Sequence, residues 1–122
     1  MAMNPQLDGL LQDTEQEAIE SFLANLWARY ANRLFEAILF GSKARGDSHS
    51  ESDVDILLIV DEDDWRFRHA ISDVAADVSL EYAVLIGSQA ISRERWQRMA
   101  RERFSFYENV ARESIPLTME PA

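Results

Sequence analysis

One stretch limits what this chain can fold into more than any other: Phe40-Gly41-Ser42-Lys43-Ala44-Arg45-Gly46-Asp47-Ser48-His49-Ser50-Glu51-Ser52-Asp53-Val54-Asp55. It lies between two apolar runs, Leu34 to Phe40 and Val54 to Val60, each of strand length and suited to a pleated surface. A strand that breaks at Gly-Ser leaves backbone N–H groups open, and acids one residue apart on the next strand share one face. Those are the parts of a phosphate and metal site, built at one end of two strands.

The elements around it follow from periodicity. Thr14 and Glu17 have capping-box spacing, and Ile19, Phe22, Leu23, Leu26 and Tyr30 recur at helical intervals, which predicts a helix from Glu15 to Ala31. Between Lys43 and Ser52 no apolar period is visible, although Lys43 to Arg45 can make one helical turn ended by Gly46 in a left-handed conformation. Val54 to Val60 is apolar at successive positions, as expected of a strand covered on both faces or central in its sheet. The acidic run Asp61 to Asp64 precedes a helix from Trp65 to Leu80, whose buried stripe is Ile71, Val74, Ala75 and Val78. A third strand is read at Tyr82 to Ile86, ending at Gly87-Ser88. Ser92 then caps a short helix with Trp96 and Met99, Ser105 and Glu108 form another capping box, and Pro116 marks the end of the helical C-terminus. Residues 1–13 read as a loosely ordered lead-in, 14–117 as one domain and 118–122 as a tail.

Composition narrows the chemistry. The 122 residues make a single domain, short for an enzyme that encloses its substrate alone, so a partner completing the site is expected. A formal net charge of -10 argues against direct nucleic-acid binding, which needs cations to displace phosphate counterions. With no cysteine and only His49 and His69, a thiolate zinc site is excluded and an imidazole-rich site is disfavoured. No apolar run reaches membrane-spanning length and the start lacks a signal-peptide pattern, so a cytoplasmic protein without membrane attachment is expected.

Gly41 lets a phosphate approach the main chain, Ser42 adds a hydroxyl, and Lys43 and Arg45 are placed to neutralise phosphate charge or to sit as solvated cations. A Gly-Ser after a strand is also what a plain turn looks like, and Gly87-Ser88 is a second instance in the same chain. Asp53 and Asp55 decide the matter. They offer hard oxygen ligands on one face, of the kind magnesium takes together with water and substrate phosphate, and Leu57 and Ile59 continue that face, so Asp55 is not freely wetted. His49, Trp27, Trp65 and Trp96 read as loop, core or interface residues, and the arginines from Arg93 to Arg103 as a solvated helix face interleaved with Glu94 and Glu102.

Gly41-Ser42, ten residues, then Asp53-Val54-Asp55 resembles the signature of the DNA polymerase β-like nucleotidyltransferase superfamily. The inner Gly-Ser-Lys-Ala-Arg-Gly-Asp-Ser and the segment Phe106-Tyr107-Glu108-Asn109-Val110 resemble the minimal nucleotidyltransferases in particular, which pair as antitoxins with helical HEPN ribonucleases. The resemblance implies an α/β (α+β) fold: a short twisted mixed sheet with helices packed on one face. It implies that Gly41 and Ser42 hold the phosphates of ATP, that Asp53 and Asp55 hold Mg2+, and that AMP passes to a hydroxyl, a tyrosine of a HEPN toxin, in a hetero-oligomer. It also implies a third carboxylate on the strand after the next helix. In the reading above that position aligns with Ala83, the nearby acids are Asp77 and Glu81, and Glu81, adjoining the strand, is taken as the third. Two other functions stay open: an antitoxin that binds nucleotide without catalysis and blocks its toxin by covering it, and transfer to a small molecule, for which the chain lacks a second helical domain.

Overall fold

In the computed structural model, which describes residues 9–46 and 53–117, the first apolar stripe forms helix α1 (Asp13–Tyr30), burying Ile19, Phe22, Leu23 and Leu26 completely. It starts two residues earlier than its spacing suggested, because Glu15 rather than Glu17 makes the reciprocal cap: the Gln12 N–H donates to Glu15 Oε1 at 2.7 Å. The end of the expected lead-in therefore joins the fold, with Leu11 in the core. His49, the loop 47–52, residues 1–8 and the tail 118–122 lie outside the described residues.

Strand β1 (Leu34–Phe40) runs into Gly41 and the single-turn helix α2 (Ser42–Arg45), which Gly46 closes in the left-handed conformation the sequence called for. Strand β2 (Val54–Val60) lies antiparallel to β1. Helix α3 (Trp65–Tyr82) is capped by Asp64, whose carboxylate accepts the Phe67 N–H at 3.0 Å, and carries the crossover to β3 (Ile86–Ser92), parallel to β2. Two short helices, α4 (Arg93–Arg101) and α5 (Ser105–Glu113), lead to β4 (Ile115–Leu117), which pairs with β1. The sheet order is β3-β2-β1-β4.

Strand β2 is central, and its alternation divides the core. Ile56, Leu58 and Val60 face α1 and α3, while Leu57 and Ile59 face Ile91, Met99 and Val110. Every one of these five β2 side chains is fully buried, as a strand covered on both faces should be. The mixed sheet with helices on one face holds for α1 and α3; α4 and α5 add cover on the other. Among the described residues no helix is long and apolar enough to cross a membrane.

The third strand is displaced from its expected place at Tyr82 to Ile86. Helix α3 continues to Tyr82, Ala83 caps it with φ 55°, and pairing begins only at Ile86. Gly87-Ser88 therefore sits inside a strand rather than ending one. The Ser105–Glu108 capping box is likewise absent, since Phe104 is the capping residue and Ser105 already belongs to α5. Ser92 does cap α4, its hydroxyl accepting the Arg95 N–H at 3.2 Å.

Candidate active site

The register brings the two halves of the motif together. Phe40 pairs with Asp55 across β1 and β2, so the exit of β1 at Gly41 lies beside the entrance of β2. Gly41 has φ 77° and ψ -157°, a region essentially reserved for glycine. A β-carbon on it would collide with Asp55 Oδ2. On the other flank Asp55 pairs with Gly87, where a β-carbon would lie 3.2 Å from Asp55 Oδ1. The carboxylate of Asp55 thus occupies a notch between two glycines, and the third strand's glycine, read from sequence as an ordinary turn, is part of it. The signal that marks it is a glycine inside a strand, which indicates a close approach of a neighbouring group.

Asp55 is half-buried and Asp53 exposed at the start of the same strand. Burial pushes the Asp55 carboxyl above its ordinary value, the negative charge of Asp53 pushes the same way, and the Arg45 guanidinium opposes them. Two carboxylates at alternate positions of one strand, where ionisation of Asp55 is disfavoured, fit a hard divalent cation whose remaining ligands come from water and phosphate. The exposed side chain of Arg45 is held by Glu113 of α5 at 3.2 Å.

Two expected site residues are placed elsewhere. Lys43 is turned inward: its ammonium lies 2.5 Å from Glu15 Oε2, and both side chains are about as buried as the apolar core. Instead of meeting phosphate it holds the Gly41-Ser42 turn against the start of α1. Glu81 is exposed on the last turn of α3, the helix that packs on the sheet face opposite Asp55, and Asp77 is exposed on the same helix. Neither joins Asp53 and Asp55, and no group of three acids, histidines or cysteines able to hold a metal occurs among the described residues. Ala83, the other candidate position, is a helix cap. The residue level with Asp55 on the strand after α3 is Gly87.

The nucleotidyltransferase domain family matches residues 18–109. The chain is 38% identical over 99 residues to "Putative protein adenylyltransferase MJ0604" of Methanocaldococcus jannaschii, covering 81% of this chain and 93% of that protein. It is 39% identical over 71 residues to "Putative protein adenylyltransferase MJ0141" of the same organism, covering 57% of this chain and 72% of that one. Among solved structures, one described as a "putative minimal nucleotidyltransferase" superposes with a TM-score of 0.55 at 26% identity, covering 87% of this chain and 97% of the other.

Proposed function

The chain belongs to the nucleotidyltransferase domain family, and from that premise we propose that it transfers AMP from ATP to a hydroxyl of a protein: the hydroxyl oxygen bonds to the α-phosphorus, the α–β anhydride bond breaks, pyrophosphate leaves and the hydroxyl proton passes to solvent. The observation that carries the reading is the Asp55 notch, with an acid pair, a bare backbone at Gly41 and a neighbouring hydroxyl at Ser42. Two relatives that carry the name "putative protein adenylyltransferase" support a protein acceptor. The acceptor proposed is a tyrosine of a HEPN ribonuclease toxin, which the transfer neutralises within a hetero-oligomer in the cytoplasm.

In this reading Gly41 admits the phosphates to the main chain because it has no side chain, and Ser42 offers its hydroxyl beside them. Asp53 and Asp55 would hold Mg2+, which would supply charge neutralisation at the transferring phosphoryl group. Arg45, tethered by Glu113, sets the field at Asp55 and keeps more of it ionised. Glu15 and Lys43 hold the turn in place.

The test is incubation of the protein with the product of its neighbouring gene, magnesium and ATP labelled at the α-phosphate. Label is expected on a tyrosine of that partner and is lost with Asp53→Asn and Asp55→Asn. A label that survives both substitutions refutes the reading.

One observation favours the second reading, a nucleotide-binding antitoxin that acts by covering its toxin. Among the described residues no third carboxylate joins Asp53 and Asp55 to deprotonate the acceptor. Under that reading the double aspartate variant still forms the complex and still suppresses toxicity.

A further inference from the structure

Among the described residues the sheet has two edges, and only one is blunted. Strand β4 is three residues long and contains Pro116, both of which blunt an edge. Strand β3 spans seven residues, Ile86-Gly87-Ser88-Gln89-Ala90-Ile91-Ser92, without a charge or a proline.

Its outer side has no strand partner among the described residues, and Ser88 there is partly exposed while Ala90 is buried. The Val54 N–H donates to the Leu85 carbonyl at 2.9 Å, and in a parallel ladder alternate residues then face β2, which turns the backbone groups of Ile86, Ser88, Ala90 and Ser92 outward. The two outer N–H groups at the ends are satisfied by side chains: Ile86 donates to Ser79 Oγ at 3.0 Å and Ser92 to Asp63 Oδ2 at 2.9 Å. Between those caps, Ser88 and Ala90 present their groups to a recess of about 660 Å³. One wall is α3, with Trp65 and Arg68; the other is α4 and α5, with Arg95 and Phe106. A second recess of about 450 Å³ continues along the strand, sharing Ser72 and Ser88 and bordered by Leu80 and Leu85.

Two properties of the walls identify the occupant. Trp65, Leu80 and Leu85 are 66%, 84% and 61% exposed, and they are three of the five large apolar side chains exposed among the described residues. Among the described residues no acid lines either recess, whereas Arg68, His69 and Arg95 line the first; Arg95 is already paired with Asp63 and His69 stands 3.8 Å from Asp73, which leaves Arg68 as the cation offered to an occupant, in a chain of net charge -10. The strand edge thus runs between α3 on one side and α4 and α5 on the other.

We infer that the β3 edge docks an extended, acidic segment of the protein acceptor as an added strand, an inference that rests on the protein-transfer reading above. Main-chain hydrogen bonds at Ser88 and Ala90 supply affinity, and side chains entering the two recesses supply selection. Because Gly87 is level with Asp55, the added strand leads to the acid pair. The hydroxyl-bearing residue lies at that end, the apolar residues beside Leu80 and Leu85, and the acidic residues toward Arg68, about four residues or roughly 13 Å further along.

The experiment uses a synthetic nonapeptide with tyrosine near one end, alternating valine and glutamate, in both chain directions. Each is compared with versions N-methylated at alternate residues in both registers and with a lysine-for-glutamate version. Amide NMR shifts at Ser88 and Ala90 are expected, with affinity lowered about tenfold by one N-methyl register, by the lysine exchange and by Ser88→Pro. That substitution removes an outward N–H and leaves the β2 ladder intact, a change edge strands accept. Equal binding of all N-methylated forms, shifts elsewhere, absence of binding by every peptide, or a dimer that Ser88→Pro dissolves would each overturn the inference. A protein that binds ATP and magnesium but leaves Ser88 and Ala90 unmoved refutes docking alone; one that binds the peptide but not ATP supports docking and refutes the transfer reading.

Discussion

Gly87 stands opposite Asp55 in the parallel β2–β3 ladder, and the β-carbon it lacks would lie 3.2 Å from Asp55 Oδ1. The resemblance to nucleotidyltransferases implied a third carboxylate on this strand, and here the place level with Asp55 has no side chain at all. Its φ is not in the left-handed region, so an L residue fits the backbone there.

Gly87→Asp should therefore rebuild a three-acid site. Without a cation the added charge faces Asp55 and lowers the melting temperature in chelator. With magnesium or manganese it becomes a third ligand and should tighten cation binding about tenfold, or about 1.4 kcal/mol. Thermal melts with and without the cation check this. A variant equally destabilised in both conditions would show that the notch cannot accept a ligand there.

Gly41→Ala tests the other flank. At φ 77° and ψ -157° alanine is strained, at a cost of about 1–3 kcal/mol, and its methyl group meets Asp55 Oδ2. Gly46→Ala, also at positive φ but meeting only the end of the Leu10 side chain, should cost about 1 kcal/mol and leave nucleotide binding intact. Urea unfolding and ATP titration of the two variants separate strain from loss of the site.

Much of this was legible in the sequence. The strand, Gly-Ser, single turn, Asp-x-Asp and strand order could be read because each step has a local cause: Gly46 must end α2, and acids at alternate positions must share a face. The roles of Lys43 and Gly87 were not legible, because both depend on contacts between distant segments. Lys43 next to Ser42 looks like a phosphate ligand until α1 brings Glu15 against it. Gly87-Ser88 looks like a turn because glycine is a poor strand former, and only the β2–β3 register shows that Asp55 fills the space a side chain would take. Ile115–Leu117 was hidden by Pro116, which is tolerated because β4 is an edge.

The Glu15–Lys43 pair should behave as a buried ion pair. Lys43→Met leaves the Glu15 charge without its ammonium and should cost about 3–5 kcal/mol; Glu15→Gln, which strands the lysine, should cost a similar amount. The double substitution should recover most of the loss. Denaturant unfolding of the four proteins forms the cycle. Additive losses would mean that the two charges do not depend on each other, and the turn would then need another anchor.

Asp55 gives a pH dependence whose sign is fixed by its surroundings. Burial first, and Asp53 second, raise its pKa above 3.8, against the pull of Arg45. Its ionised form is thus less favourable in the folded protein than in the unfolded chain. The favourable contribution is complete below about pH 3.8 and is lost as pH rises through the raised value. In chelator, Asp55→Asn should melt higher than the wild type at pH 7, and the gap should close as pH falls toward 3.8. Asp53→Asn lowers the Asp55 pKa and should narrow the gap, whereas Arg45→Met raises it and should widen it. Magnesium should reverse the order at pH 7, since only the wild type retains both carboxylates. Melting curves across this range decide the matter: a gap independent of pH would mean that the asparagine acts through packing and that the Asp55 charge costs the fold nothing.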